Sequence, residues 1–313
     1  MVGRRRVLGL GAAAAVAGTL FLAGCAGPGP AADRRAAACG WEAQPQRTLD
    51  GGWLEGRHLR LQRPVSVAAD LRGLWIYDAG HGAVFQLESV GGNLRRALTV
   101  RLPAESRLRV DGFGQIYLSD PRRGEILRFD ETGAPPQSFR TEQLGAPQAL
   151  ALTRDGRVLV GDVSGRVAVF NTVGGLERVL TAQGEPFGRI GGLAADRDRV
   201  FISDPLQRRI HVLRGDHPVA ALSHPDLRSP GPLAMDEDGR LVVGDTVNRS
   251  LFVFSGDEGS PRISGPVSVP VHAIDDIAAG FGEVFVADGN TGRIQVLRLV
   301  PVACADASDS EKD

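Results

Sequence analysis

Val284-Phe285-Val286-Ala287-Asp288 is the stretch that decides the fold, because five earlier segments repeat its form, a short apolar run closed by an aspartate. Runs rich in β-branched and aromatic residues are typical of buried strands. The closing aspartates lie 42, 42, 42, 41 and 43 residues apart. They are Asp78, Asp120, Asp162, Asp204, Asp245 and Asp288. The chain is therefore predicted to repeat one β-rich unit six times.

Each unit has room for three more strands. A turn such as Asp155-Gly156 precedes the apolar run and follows another apolar segment, which is a hairpin signal. A third strand is predicted after each aspartate, over 83–87, 125–129, 166–170, 209–213, 250–254 and 293–297. A looser fourth strand follows, as at 98–102. Four strands in a period near 42 residues are typical of a β-propeller blade, so the predicted fold is an all-β, six-bladed β-propeller.

The ring requires closure, because an open ring would leave sheet edges unpaired. After the last third strand the chain soon becomes polar, so blade six lacks a fourth strand of its own. The segment His58-Leu59-Arg60-Leu61-Gln62 occupies the position of an outer strand relative to blade one. We therefore expect this N-terminal segment to supply the outer strand of the last blade.

The unit resembles the NHL repeat. The resemblance is carried by Val200-Phe201-Ile202-Ser203-Asp204 with Arg209-Ile210, and by the segment ending at Asp288 with Arg293-Ile294-Gln295-Val296. It covers about residues 58 to 300 and implies a six-bladed propeller of the NHL type. Lactonases of the gluconolactonase type are similar in blade architecture.

The six aspartates are interpreted as turn residues. An aspartate commonly accepts hydrogen bonds from backbone amides of the loop that follows it. Because the residue recurs in every blade, whereas a catalytic group is normally needed once, the structural interpretation is favoured.

The N-terminus carries a second signal. Arg4-Arg5-Arg6 precedes an apolar stretch from Val7 to Ala23, a pattern typical of an export signal. Leu22-Ala23-Gly24-Cys25 resembles the bacterial lipobox, which implies that Cys25 becomes the lipidated N-terminus. The arginines also resemble a twin-arginine motif, with a Sec signal as the alternative. An uncleaved anchor is the other interpretation, although the apolar stretch is short for a membrane span.

These signals divide the chain into four parts: a signal peptide at 1–24, a flexible tether and N-terminal arm at 25–57, the propeller at 58–300 and a polar tail at 301–313. The product is predicted to be an exported, membrane-anchored lipoprotein of the cell envelope, with a monomeric propeller. Ala26 stands where an aspartate would resemble an inner-membrane retention signal, so outer-membrane sorting is favoured in a cell with two membranes.

The two remaining cysteines, Cys39 and Cys304, flank the propeller. In an oxidising compartment they could form a disulfide that ties the tail to the N-terminal arm. Two free thiols are the alternative.

Composition argues against a nucleic-acid binder. The formal net charge is -1, and basic residues are spread through the blades instead of forming a run. The single lysine is Lys312, in the tail, which excludes a phosphate-binding Gly-Lys loop or a lysine Schiff base within the blades.

The search for catalytic motifs returns no Gly-x-Ser-x-Gly elbow, His-Glu-x-x-His or Cys-x-x-Cys, and the histidines lack metal-ligand spacing. No catalytic residue, metal ligand or cofactor is assigned. Lactonases of this architecture hold calcium with Glu, Asn and Asp from inner strands, whereas the asparagines here fall in turns or outer loops. Carboxylates alone could still hold a divalent cation in the channel.

Propeller geometry predicts where a binding face would form. Residues that lead into each inner strand should meet at one channel mouth with the loops after the aspartates. The first group is Arg63, Glu105, Arg107, Arg189, His272, Asp275 and Asp276. The second group is His81, Arg122, Arg123, Arg208 and Arg249. Such an arginine-rich face could hold an acidic peptide or a sugar acid, and a solvated rim of local ion pairs is the alternative.

Two function classes follow. The favoured class is a non-enzymatic binding or scaffold lipoprotein that presents this face to a protein or polysaccharide partner, because repetition is abundant and catalytic signatures are not. The second class is a propeller hydrolase or lyase with a divalent cation in the central channel.

Overall fold

The computed structural model describes residues 40–88, 92–130, 134–256 and 261–302. Every regular element in these ranges is a β-strand, and they contain no helix long and apolar enough to cross a membrane. Six four-stranded antiparallel sheets follow one another along the chain, which makes the fold a six-bladed β-propeller, as predicted. The predicted signal peptide, Cys25, Cys39 and Cys304 lie outside the described residues.

Three strands precede the first inner strand: β1 (Gly40–Leu49), β2 (Gly51–Leu54) and β3 (Arg57–Arg60). Blade one contains β4 (Pro64–Asp70), β5 (Gly73–Asp78), β6 (Ala83–Leu87) and β7 (Leu94–Thr99). Blade two contains β8 (Leu108–Val110), β9 (Ile116–Asp120), β10 (Glu125–Phe129) and β11 (Gln137–Arg140). Blade three contains β12 (Pro147–Leu152), β13 (Val158–Asp162), β14 (Val167–Phe170) and β15 (Leu176–Leu180).

Blade four contains β16 (Gly192–Asp196), β17 (Arg199–Asp204), β18 (Arg209–Arg214) and β19 (His217–Leu222). Blade five contains β20 (Pro230–Met235), β21 (Leu241–Asp245), β22 (Ser250–Ser255) and β23 (Arg262–Ser268). Blade six contains β24 (Asp276–Gly280), β25 (Glu283–Asp288), β26 (Arg293–Val302) and, as its outer strand, β1. All six second strands end at the repeated aspartate, and the third strands begin at or within one residue of the predicted starts.

The N-terminal segment closes the ring, but through a different strand from the one predicted. β1 pairs antiparallel with β26, from Gly40 opposite Val302 to Leu49 opposite Ile294. His58 instead belongs to β3, which forms a hairpin with β2 beside blade one. The prediction of 58–62 as the closing strand was wrong because an outer strand needs little apolar sequence: in β1 only Ala43 is buried. The polar character of 40–49 therefore concealed its pairing.

The hydrophobic core lies between neighbouring blades. Phe85 of blade one packs with Phe285 of blade six across the closing seam, and Trp75 packs with Leu118 between blades one and two. These side chains are at most 3 % exposed. Burial of one such side chain contributes about 1.5–3 kcal/mol, so the apolar strands that define the repeat also join the blades to one another.

The two ends of the ring differ in their connections. The loop end carries the loops that follow the six aspartates and the segments that lead into the inner strands. The turn end carries the turns between the first and second strands. The inner strands of all six blades line a channel of about 230 Å³ between these ends. β1 begins at the turn end, because Gly40 lies opposite Val302, the last residue of β26.

Candidate functional site

The six repeated aspartates organise the loop end. In every blade one carboxylate oxygen, Oδ1, accepts hydrogen bonds from one or two amides of the loop that follows. The donors are His81 for Asp78, Arg122 and Arg123 for Asp120, Ser164 and Arg166 for Asp162, Leu206 and Gln207 for Asp204, Val247 and Asn248 for Asp245, and Thr291 for Asp288. This is the arrangement of a turn-closing aspartate.

In five blades the second carboxylate oxygen accepts an amide from the segment that leads into the inner strand. These bonds are 2.7 or 2.8 Å long, and their donors are Gln62, Gly145, Gly188, Arg228 and His272. Each of these aspartates thus ties two loops of its own blade together. The loop end is therefore a set of ordered segments on which other side chains can be held in place.

A cavity of about 430 Å³ opens at the channel mouth on the loop end. Five of the residues predicted for the binding face line it: Glu105, Arg107, Arg189, His272 and Asp275. They come from the segments that lead into the inner strands of blades two, four and six. The volume lies within the range of about 300–1,000 Å³ that is typical of small-ligand sites.

The cavity has further lining that the sequence did not identify. Polar groups come from Gln148, Ser229 and Thr246, and apolar surface comes from Ile190 and Pro205. Position relative to the blade aspartate is the signal that could have found them. Gln148 and Ser229 precede the aspartates of their blades by nearly the same number of residues as Glu105 and Arg189 precede theirs, to within two residues. Because Gln148 and Ser229 are uncharged, they were not predicted from the sequence.

The arginines of the cavity differ in their partners. Arg107 donates from Nη1 to the Ser106 carbonyl oxygen at 3.2 Å and lies near enough to Asp275 to influence its ionisation. Arg189 is exposed and forms no ion pair with any described residue. A guanidinium with open donors matches the planar geometry of a carboxylate, which it can bind through two parallel hydrogen bonds.

Asp275 is the partly buried acid of the cavity wall. Burial raises the pKa of its carboxyl group above the usual 3.8, while a hydrogen bond from the Gly289 amide and the charges of Arg107 and Arg63 act in the opposite direction. The Gly289 amide donates to Asp275 Oδ2 at 2.7 Å. The carboxyl group is therefore held in one orientation and retains its proton to a higher pH than a free aspartate.

Asp276 lies elsewhere, although the sequence grouped it with the binding face. Its side chain is fully buried among the inner strands, where Ser66 Oγ donates to Oδ2 and Arg109 Nη1 donates to the same oxygen at 3.0 Å. The Val67 amide is a further donor at 3.2 Å. Consecutive residues of an extended chain point in opposite directions, so Asp275 and Asp276 cannot both face the cavity.

The remaining predicted residues lie on the loop end outside the cavity lining. Arg63, Arg123 and Arg208 are exposed, and Arg123 approaches Asp120 at 3.9 Å. His81 is largely buried against Phe85, with Nδ1 3.2 Å from Asp78 Oδ2 but not aligned for a hydrogen bond. These side chains form the rim of the face.

Within the described ranges, no group of three or more His, Cys, Asp or Glu residues is placed to hold a metal ion. The described residues therefore do not fit the divalent cation that was predicted with the hydrolase or lyase alternative.

Comparisons with known proteins identify a fold. No model of a known protein family matches the chain, and no curated protein matches it. A streptogramin B lyase structure is similar, with 11% identity, a TM-score of 0.57 and coverage of 83% of this chain and 97% of that one. Virginiamycin B lyase from Staphylococcus aureus is similar at 11% identity and a TM-score of 0.60, with coverage of 85% and 90%. A catalytically inactive variant of that lyase, with quinupristin, is similar at 12% identity and a TM-score of 0.58, with coverage of 84% of this chain and 88% of that one. At these identities the likeness shows the six-bladed propeller alone.

Proposed function

We propose that this protein is an exported lipoprotein, anchored to a membrane of the cell envelope through Cys25, whose NHL-like propeller is a binding module. The loop-end cavity is its binding site, and the ligand is a carboxylate group presented by a protein or polysaccharide partner. The supporting observation is the cavity itself: Arg107 and Arg189 line one opening of about 430 Å³. The Arg107 amide donates to Ser119 Oγ at 2.8 Å, and the amide of Gly188, which precedes Arg189, donates to Asp204 Oδ2 at 2.8 Å.

Rigidity supports this choice of function. Arg189 follows Gly188, whose amide donates to Asp204 Oδ2 at 2.8 Å, so its backbone is fixed before any ligand arrives. A preformed site loses less conformational entropy on binding than a mobile loop does. The neutral donors of Ser229 and Thr246 and the apolar surface of Ile190 and Pro205 would contact the remainder of the ligand.

A binding assay tests the proposal. The propeller is titrated with a glutamate-rich peptide and with a galacturonate oligosaccharide, and affinity is measured by calorimetry. Loss of one bidentate carboxylate contact is worth roughly a factor of ten in affinity, so Arg107→Ala with Arg189→Ala should weaken binding by about that factor or more. Arg123→Ala with Arg208→Ala is the matched control, because both arginines lie on the rim. Equal loss in both pairs, or no binding of either probe, would contradict the cavity as the site.

The anchor has its own test. The chain produced in a bacterium with its own N-terminus should fractionate with membranes and carry acyl chains on Cys25, detected by mass spectrometry. Cys25→Ser should abolish acylation. A mature protein that lacks acyl chains would refute the anchor and leave the binding proposal standing.

One observation favours a second candidate, a propeller lyase or hydrolase. Asp275, whose pKa is raised by burial, and His272 line the same cavity, and a carboxyl group and an imidazole in one site can act as acid and base. The similar structures are those of lyases, one of them with quinupristin, so quinupristin is a reasonable probe. A lyase product keeps the mass of the substrate and a hydrolysis product gains a water, which mass spectrometry distinguishes. Turnover that Asp275→Asn and His272→Gln abolish would support the enzyme.

A further inference from the structure

At the turn end, the turns between the first and second strands fall into two groups. In blades six, one and two, the turns between the first and second strands expose apolar side chains: Phe281, Leu71 and Phe113 are 40%, 97% and 88% exposed. The corresponding turns of blades three, four and five carry charged residues instead, at 154–155, 197–198 and 237–238. Single exposed apolar residues are ordinary on a protein surface, whereas apolar residues at equivalent positions of three consecutive blades form a patch.

The turns that carry these three apolar side chains adjoin one another. A methyl group added at Gly280 would lie 2.9 Å from the Ala69 side chain, so the turns of blades six and one touch. Arg72 Nη2 donates to the Asp111 carbonyl oxygen at 3.2 Å, which joins the turns of blades one and two. Trp53, 54% exposed, extends the patch, because its amide donates to the Gly92 carbonyl oxygen in the turn between β6 and β7. We call Trp53, Leu71, Phe113 and Phe281 the apolar arc.

The arc is displayed by ordered backbone. The amides of Phe113 and Gln115 both donate to Asp111 Oδ1 at 2.9 Å. The Phe281 amide donates to Glu237 Oε1 at 2.7 Å. The side chains at these tips therefore protrude from turns with a fixed backbone and can contact an apolar environment outside the protein.

The chain enters the propeller at this same end. β1 begins at Gly40, and the fourteen residues from Ala26 to Cys39 separate it from Cys25. Fully extended, that segment reaches at most about 50 Å. A lipid on Cys25 would therefore keep a bilayer within reach of the turn end. An aromatic and aliphatic patch with an indole is suited to the boundary between headgroups and acyl chains.

We propose that the turn end is the membrane-facing end of the propeller, and that the apolar arc inserts into the lipid interface. The orientation rests on the proposed anchor, while the arc has its own affinity for lipid. The loop-end cavity then opens away from the membrane, toward partners in the envelope.

Depth-dependent quenching tests this orientation. The full chain, with Cys39 and Cys304 replaced by Ser, is reconstituted in vesicles of phosphatidylethanolamine and phosphatidylglycerol that contain a spin-labelled lipid. A fluorescent probe is attached at Leu71→Cys or Phe113→Cys. The matched controls are Asp155→Cys, at the corresponding turn of blade three, and Leu206→Cys, an apolar residue 69% exposed at the loop end. Quenching at Leu71 and Phe113 is expected to exceed quenching at both controls several-fold.

Each outcome decides a separate point. Stronger quenching at Leu206, or equal quenching at all sites, overturns the proposal, as does a turn end that binds a protein and shows no quenching. Acylation of Cys25 is measured on the same sample by mass spectrometry, so an acylated chain with unquenched probes refutes the orientation and not the anchor. Leu71→Ser with Phe113→Ser, read by a probe at Phe281→Cys, should reduce quenching without changing the melting temperature, because neither side chain packs in the protein core.

Discussion

The cavity wall and the channel seam differ in what they do with adjacent carboxylates. Asp275 lies in the wall of the open cavity, oriented by one amide and influenced by nearby arginines. Asp276 is fully buried in the seam between blade six and its neighbours, where Ser66 of blade one and Arg109 of blade two donate hydrogen bonds to it. The Asp275 carboxyl group in the wall is accessible to a ligand. The Asp276 carboxylate in the seam is instead hydrogen-bonded to Ser66, Val67 and Arg109 of the protein.

The difference between the two carboxylates arises where blade six meets blades one and two and the ring closes. Asp276 joins the inner strand of blade six to the inner strands of blades one and two. The seam between blades four and five has a neutral contact at a comparable place, where Ser203 Oγ donates to the Gly231 carbonyl oxygen at 2.6 Å. The ion pair therefore marks the region where N- and C-terminal blades meet, and it explains why two acids adjoin at this point alone of the six units.

The largest effect is expected from Asp276→Ala. Removal of one partner leaves Arg109 and Ser66 without their acceptor in a buried site, and breaking a buried pair costs about 3–5 kcal/mol of the free energy of unfolding. Urea unfolding measures the loss. Asp155→Ala, at an exposed turn, is the control and should change stability by less than about 0.5 kcal/mol. Equal stability of the two variants would mean that the seam does not depend on its charge.

A smaller effect is expected from the aspartates that support the cavity wall. Asp245 is fully buried and accepts the amides of Arg228, Val247 and Asn248, whereas Asp120 accepts two amides from its following loop only. Asp245→Ala should lower the free energy of unfolding by about 2–3 kcal/mol and Asp120→Ala by about 1 kcal/mol, because fewer donors lose their acceptor. The same unfolding assay ranks them, and the reverse order would show that the tie between the two loops contributes nothing.

The smallest effect is expected from Asp275→Asn, and it depends on pH. Burial raises the pKa of Asp275 above 3.8, so the folded protein binds its proton more tightly than the unfolded chain does. Wild-type stability therefore falls as pH rises from 3.8 through the folded pKa, and the variant lacks that loss. The variant should match the wild type at low pH and be modestly more stable at neutral pH. Unfolding curves across this range check the sign, and a wild type that gains stability over the variant with rising pH would contradict it.

Sequence reasoning recovered the elements whose burial forces an apolar composition. The second and third strands of a blade, such as β21 and β22, are packed on both sides and therefore contain continuous apolar runs. The closing strand β1 was not predicted, because an outer strand exposes one face to water and therefore needs few apolar residues. Its pairing with β26 is made by backbone groups, which every residue type provides. Five residues of the cavity were found because they carry charges, while Gln148 and Ser229 carry none.

The amino-acid sequence by itself determined the blade count, the period and the turn aspartates, because each arises from local hydrogen bonds and from side chains that must leave water. Only the tertiary structure decided which segment closes the ring, which end of the ring carries the apolar arc, and that Asp275 faces the cavity while Asp276 faces Arg109. These outcomes depend on contacts between residues that are up to about 260 positions apart, such as Gly40 and Val302, and no local pattern records such a contact.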